Sequence, residues 1–150
     1  MNQLPSIAII GPGRVGTSLG VLAARAGYSV VAVGGRRKES TTTAARRIGK
    51  HVCAYDTIDA AKSAEMVLLC LPDDLIEQIC EKLAQENKFI KGAIVVHCSG
   101  TFSSNILSTA RECCRCSVAS MHPLQTFPTV DAALKMMSGT YCFYEGDECV

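Results

Sequence analysis

Gly11-Pro12-Gly13-Arg14-Val15-Gly16 sets three glycines at a GxGxxG spacing directly after the apolar run Ile7 to Ile10. Between a strand and a helix, this spacing is suited to the pyrophosphate of a dinucleotide. The first glycine permits a tight turn, the second lets backbone come close to the anion, and the third lets helix and strand pack closely. The helix N-terminus offers unpaired N–H groups and the positive end of its dipole. A glycine turn without a ligand is the competing reading, and the strand before it and helix after it favour the site.

A second cluster follows Val33-Gly34, where Gly35, Arg36, Arg37, Lys38, Ser40 and Thr41 come together. An acidic side chain at this place would accept hydrogen bonds from a ribose 2'-hydroxyl and repel a 2'-phosphate. Here there is no acid, and cations with hydroxyls suit a phosphate dianion. The predicted cofactor is therefore NADP rather than NAD, with an exposed cationic turn as the competing reading. Its expected holders are Gly11, Pro12, Gly13, Arg14, Val15, Gly16, Gly35, Arg36 and Arg37, with Leu71 and Pro72 beside the nicotinamide ribose. Asp73, next in line, is expected to cap a helix rather than do acid–base work.

Proton chemistry is expected from His97-Cys98-Ser99-Gly100-Thr101 and Met121-His122-Pro123-Leu124-Gln125-Thr126-Phe127. His122 or His97 could give or take a proton as hydride moves at a neighbouring carbon, and Ser99 or Gln125 could hold a carbonyl or carboxylate. A structural hydrogen bond at a strand end competes for each histidine, more strongly for His97. Cys98 has no base near it in sequence to mark it as a nucleophile. Cys113 and Cys116, with Cys114 between them and His122 nearby, have the spacing of half a zinc site, but no second pair completes four ligands, so no metal is expected.

These loops have to be held by strands, and the chain supplies them in alternation with helices. Strands are predicted at Ser6 to Ile10, Ser29 to Val33, His51 to Ala54, Met66 to Leu71, Ala93 to His97, Ser117 to Ser120 and Thr140 to Tyr144. Helices are predicted at Arg14 to Ala26, from a Ser40 cap to Ile48, at Asp59 to Ser63, from Asp73 or Asp74 with a stripe of Ile76, Ile79, Cys80 and Leu83, at Ser103 to Cys113 and at Val130 to Met137. Runs such as Met66 to Leu71 lack alternation, as central parallel strands covered on both faces do. The fold class is α/β, a Rossmann-type doubly wound and mainly parallel sheet with helices on both faces, whose ligands bind at the carboxyl ends of the strands. Every loop named above lies on that edge.

The length suits one domain, residues 1–150, and the formal net charge of +1 lacks the basic excess of a nucleic-acid binder. The N-terminus has no basic run, and no apolar run approaches the roughly 18 residues of a membrane span, so a cytoplasmic protein without nucleic-acid or membrane partners is expected. Nine cysteines, an odd number scattered through apolar segments, read mostly as small buried hydrophobes. The chain stops at Glu148-Cys149-Val150 without a capped helix, which reads as a cut.

On these residues the chain resembles a family of Rossmann-like NADP oxidoreductases, most of unassigned function, related to pyrroline-5-carboxylate reductases and more distantly to 6-phosphogluconate and 3-hydroxyisobutyrate dehydrogenases. The resemblance is carried by residues 11–20, Leu-Pro-Asp-Asp at 71–74, His-Cys-Ser-Gly-Thr at 97–101 and His-Pro-Leu-Gln-Thr-Phe at 122–127. It implies an NADP-binding domain followed by a helical domain, absent here, that forms a homodimer in the full-length protein and completes the pocket for a small-molecule substrate. It gives no secure catalytic role to His97, Ser99 or His122. The reading that results is an NADP(H)-dependent reductase of a small keto or imino acid. Its alternatives are a non-catalytic NADP sensor or subunit, and a fragment that binds cofactor without turnover.

Overall fold

The computed structural model describes residues 4–148 and 150, leaving Met1 to Gln3 and Cys149 outside it, and with Cys149 part of the expected chain ending. Seven strands form one sheet in the order β3-β2-β1-β4-β5-β6-β7. They are β1 (Ile7–Ile10), β2 (Val30–Gly34), β3 (Cys53–Tyr55), β4 (Met66–Leu69), β5 (Ile94–His97), β6 (Ser117–Pro123) and β7 (Cys142–Gly146). The first six run parallel, and β7 lies antiparallel on β6. The helices are α1 (Arg14–Arg25), α2 (Lys38–Ile48), α3 (Thr57–Ala61), α4 (Asp73–Gln85), α5 (Ser108–Cys114) and α6 (Val130–Met136), with a 3-10 turn at Ser104–Leu107. This is the doubly wound α/β architecture that alternating apolar and amphipathic segments require.

The strands read as unbroken apolar runs because both faces of the sheet are covered. On β1, Ala8 and Ile10 pack with Val67, Leu69, Ile76 and Leu83 in one core. Ile7 and Ile9 point the other way, into a core with Val33, Ala44, Ile48 and Val96. The strand order reverses between β1 and β4, which opens a crevice at their carboxyl ends.

Several boundaries differ from expectation, each for a local reason. Ser40 does not cap α2: its hydroxyl and that of Thr41 donate to the Arg37 carbonyl at 3.0 and 2.8 Å, so both sit within the first turn and Arg37 occupies the cap position. Asp56, not Asp59, starts α3, with its carboxylate accepting from the Asp59 N–H at 2.9 Å. Asp73 caps nothing, because Pro72 takes the cap position of α4, and Asp73 and Asp74 stand in its first turn, where their charge complements the helix dipole. β6 extends through His122 and Pro123, which pair with Phe143 and Cys142 of β7. Isolated residues of a strand end carry no mark of such a late antiparallel partner.

The β7 edge is tied down by carboxylates. Asp147 accepts from the Arg111 guanidinium at 2.8 Å and from the Val118 N–H at 2.8 Å, and Glu145 accepts from the backbone N–H and hydroxyl of Ser104. The Arg111 guanidinium holds the Asp147 carboxyl below the usual carboxylate range, with the Val118 N–H adding to it. Asp147→Ala is expected to lower stability by about 1 kcal/mol in urea denaturation, since a charge-assisted pair that solvent reaches contributes little more. Among the described residues no helix is long and apolar enough to cross a membrane.

Candidate functional site

The turn after β1 is built around three glycines with three different duties. Gly11 has φ +110°, and a Cβ there would lie 2.2 Å from the Cys70 carbonyl oxygen. Gly16 lies under the turn, where a Cβ would come within 2.1 Å of the Gly11 carbonyl oxygen. Gly13, by contrast, has φ −80°, open to any residue, and nothing lies within 4 Å of the position its Cβ would take. The protein's own packing thus needs glycine at Gly11 and Gly16, whereas at Gly13 it only leaves space empty. Gly13 is also the cap residue of α1 and has no side chain to offer that helix's first N–H groups.

Three cavities meet at Gly13: one of about 480 Å³ is lined by Arg37, Glu39 and Arg47, and two others hold most of the expected site residues. The first of these two, of about 580 Å³, runs from Gly11 to Gly35, Arg36, Arg37, Leu71 and Pro72 and is closed by Lys82 of α4. Among the described residues no carboxylate lines it. Lys82 lies on a helix 45 residues beyond Arg37, so no sequence spacing links the two; Lys38 and Thr41, by contrast, do not line this cavity. The hydroxyl of Thr41 is already given to the Arg37 carbonyl, and Gly35 fits between Thr41 and Pro12, within 2.8 Å of both if it carried a Cβ. Arg14 is partly engaged, donating to the Pro128 carbonyl at 3.0 Å.

The other cavity, about 840 Å³, is lined by Gly13, Val15, Leu71, Pro72, Ser99 and His122, with Phe127 at its side. The Ser99 hydroxyl accepts from the Thr101 N–H at 3.0 Å and faces this space. His122 Nδ1 lies 3.2 Å from the Cys98 carbonyl, which fixes the tautomer with the proton on Nδ1 and leaves Nε2 as an acceptor. Its ring lies over Gly100, where a Cβ would be 2.7 Å from Nε2. Among the described residues no group bonds Nε2.

His97 is arranged otherwise. It is 0 % exposed, its Nδ1 accepts from the Ser99 N–H at 3.1 Å, and its Nε2 lies 3.1 Å from the Ser103 carbonyl, to which it donates. Burial pushes its pKa down, so the ring is held neutral. It lines neither cavity, and both ring nitrogens are used in shaping the His97 to Ser103 turn. Gln125 also lies off the cleft, donating at 3.4 Å to the Met136 carbonyl and the Thr140 hydroxyl. Cys113 is exposed while Cys116 is buried, and among the described residues no three His, Cys, Asp or Glu side chains gather to hold a metal.

A glycine turn joining the first parallel strand to a helix, at the point where the strand order reverses, defines a nucleotide-type α/β protein. The chain belongs to the Rossmann-like domain family, whose model matches residues 2–123. No curated protein matches the sequence. Among solved structures it is similar to BF3122 of Bacteroides fragilis, a candidate NADP oxidoreductase, at 23% identity over 94% of this chain and 50% of that one, with a TM-score of 0.73. It is similar to a pyrroline-5-carboxylate reductase of Coxiella burnetii at 18% identity over 99% and 52%, TM-score 0.73. An imine reductase of Bacillus cereus BAG3X2 matches at 19% identity over 96% and 48%, TM-score 0.68. The likeness is one of fold, and the chain spans about half the length of these structures.

Proposed function

We propose that this domain binds NADP(H), and that it is the nucleotide-binding part of an oxidoreductase acting on a small keto or imino acid. The observation that carries the reading is the carboxylate-free cavity that joins Gly13 to Arg36, Arg37 and Lys82. Space left at Gly13 admits a pyrophosphate to the N-terminus of α1, and the cations suit a 2'-phosphate that an acid would repel. When bound, the nicotinamide supplies or accepts hydride. His122 then takes or gives the accompanying proton at Nε2, and Ser99 orients a carbonyl or carboxylate through its hydroxyl. His97 holds the turn that presents Ser99. In this reading a further helical portion, implied by the resemblance, completes the pocket and forms a homodimer; what the solved structures lend to it is their length alone, about twice that of this chain.

Calorimetric titration with NADP and with NAD tests the reading, on the natural chain and on Arg36→Ala. A charge-assisted contact to phosphate contributes about 1.5 to 3 kcal/mol, so the variant should bind NADP about tenfold or more weakly and NAD nearly unchanged. If neither nucleotide binds the natural chain, or NAD binds better than NADP, the reading fails.

A further inference from the structure

We propose that Cys70 and Cys98 are a reversible redox pair, closing to an intrachain disulfide in the floor of the cleft between the glycine turn and His122. Each is the first residue beyond one of two adjacent parallel strands. Leu69 of β4 pairs with His97 of β5, so Cys70 and Cys98 are the next opposed positions, and their sulfurs lie 3.7 Å apart. Neighbouring strands run about 4.8 Å apart, inside the roughly 4.4 to 6.8 Å between Cα atoms that a disulfide spans, so side-chain rotation suffices to join them. Both residues line the larger cavity and neither is fully buried, so a small oxidant comes to the pair through that cavity. The buried Cys80, Cys114 and Cys116 have no such access, and Cys53, Cys113 and Cys142 are exposed.

Hydrogen peroxide is an oxidant of the class required. The Cys98 sulfur attacks one peroxide oxygen, the O–O bond breaks, and a sulfenic acid forms with release of water. The Cys70 sulfur then attacks the Cys98 sulfur, the S–O bond breaks, and a second water leaves with the Cys70 proton. Two thiols lose two electrons and two protons, and peroxide becomes two waters. The hydrogen bond to the Cys98 thiol and burial push the Cys70 pKa up, so Cys70 is not the thiol that peroxide oxidises first.

The pair lies directly under the nucleotide turn. The Cys70 N–H donates to the Ile10 carbonyl at 2.8 Å, and a Cβ on Gly16 would be 3.1 Å from the Cys70 Cβ. Cys70 lines both the larger cavity and the one that holds Arg36 and Arg37, so fixing its sulfur against Cys98 reshapes the wall a nucleotide would meet and weakens its binding; this consequence rests on the NADP reading above.

Treating the chain with equimolar hydrogen peroxide, alkylating the remaining thiols and mapping peptides by mass tests the pair. A Cys70–Cys98 linked peptide, lighter by two hydrogens, should appear first, persist in Cys113→Ser and vanish with dithiothreitol. The oxidised chain should bind NADP about tenfold more weakly, recovering on reduction. Links that form first among other cysteines, or sulfinic acid at Cys98 without a link, overturn the pair. A mapped link with unchanged NADP affinity overturns its effect on the cleft. If the reduced chain binds no nucleotide, the NADP reading fails, while the peptide map alone decides the disulfide.

Discussion

Alanine at Gly11 is expected to lower stability by about 3 kcal/mol or more, alanine at Gly16 by about 2 kcal/mol or more, and alanine at Gly13 by less than about 0.5 kcal/mol. At Gly11 two costs combine: a φ of +110° that an L side chain rarely adopts, and a methyl group 2.2 Å from the Cys70 carbonyl oxygen. Neither obstacle is a flexible side-chain end, so the clash has to be relieved by moving backbone. At Gly16 the Gly11 carbonyl oxygen, 2.1 Å from a would-be methyl, blocks the same way, and Ile9 and Cys70 lie close behind it. At Gly13 nothing lies within 4 Å and the backbone is ordinary.

If the vacancy at Gly13 exists for a ligand, its alanine variant should keep its urea midpoint and lose NADP affinity about tenfold or more. Equal destabilisation of all three variants would show that the turn is wholly structural. Full nucleotide affinity in Gly13→Ala would show that the pyrophosphate does not approach there.

The two cleft-edge histidines are expected to fail in opposite ways. His97→Ala should cost about 3 kcal/mol, because it opens a hole at a fully buried site and leaves the Ser99 N–H and the Ser103 carbonyl without partners. His122→Ala should leave stability within about 1 kcal/mol, since it gives up one hydrogen bond at a half-buried position. Turnover is its measure instead: NADPH oxidation over a panel of keto and imino acids should fall about a hundredfold or more with nucleotide affinity retained. Unchanged turnover would remove His122 from the proton-transfer role.

His97 also predicts a pH dependence. Its folded-state pKa lies below the unfolded value of about 6.5, so below that pH the unfolded chain binds a proton that the folded chain resists. The stability it contributes is complete above about pH 6.5 and is lost as pH falls toward the folded value. Urea midpoints between neutral pH and pH 5 should drop more for the natural chain than for His97→Gln. Parallel profiles would show that the ring takes up its proton equally in the folded and unfolded chain.

The residues by themselves determined the order of strands and helices, the parallel sheet and the place of the glycine turn. Those features are written in short-range periodicity and in residue types, and a strand covered on both faces declares itself by its unbroken apolar run, as Met66 to Leu69 does. Sequence likewise placed Arg36 and Arg37 just beyond β2, with Glu39, the first acid after them, already in the helix that follows. Sequence leaned toward a structural role for His97, but the tertiary structure decided between it and His122, because both end strands on the same sheet edge, and burial and hydrogen-bond partners, not neighbours in sequence, distinguish them. The tertiary structure alone brought Lys82 to the cavity of Arg36 and set Cys70 across from Cys98, since strand order and register decide which distant residues meet. It also divided the three glycines of one motif into two that the protein's packing demands and one that it leaves open, a difference visible only once the atoms facing each missing Cβ are in place.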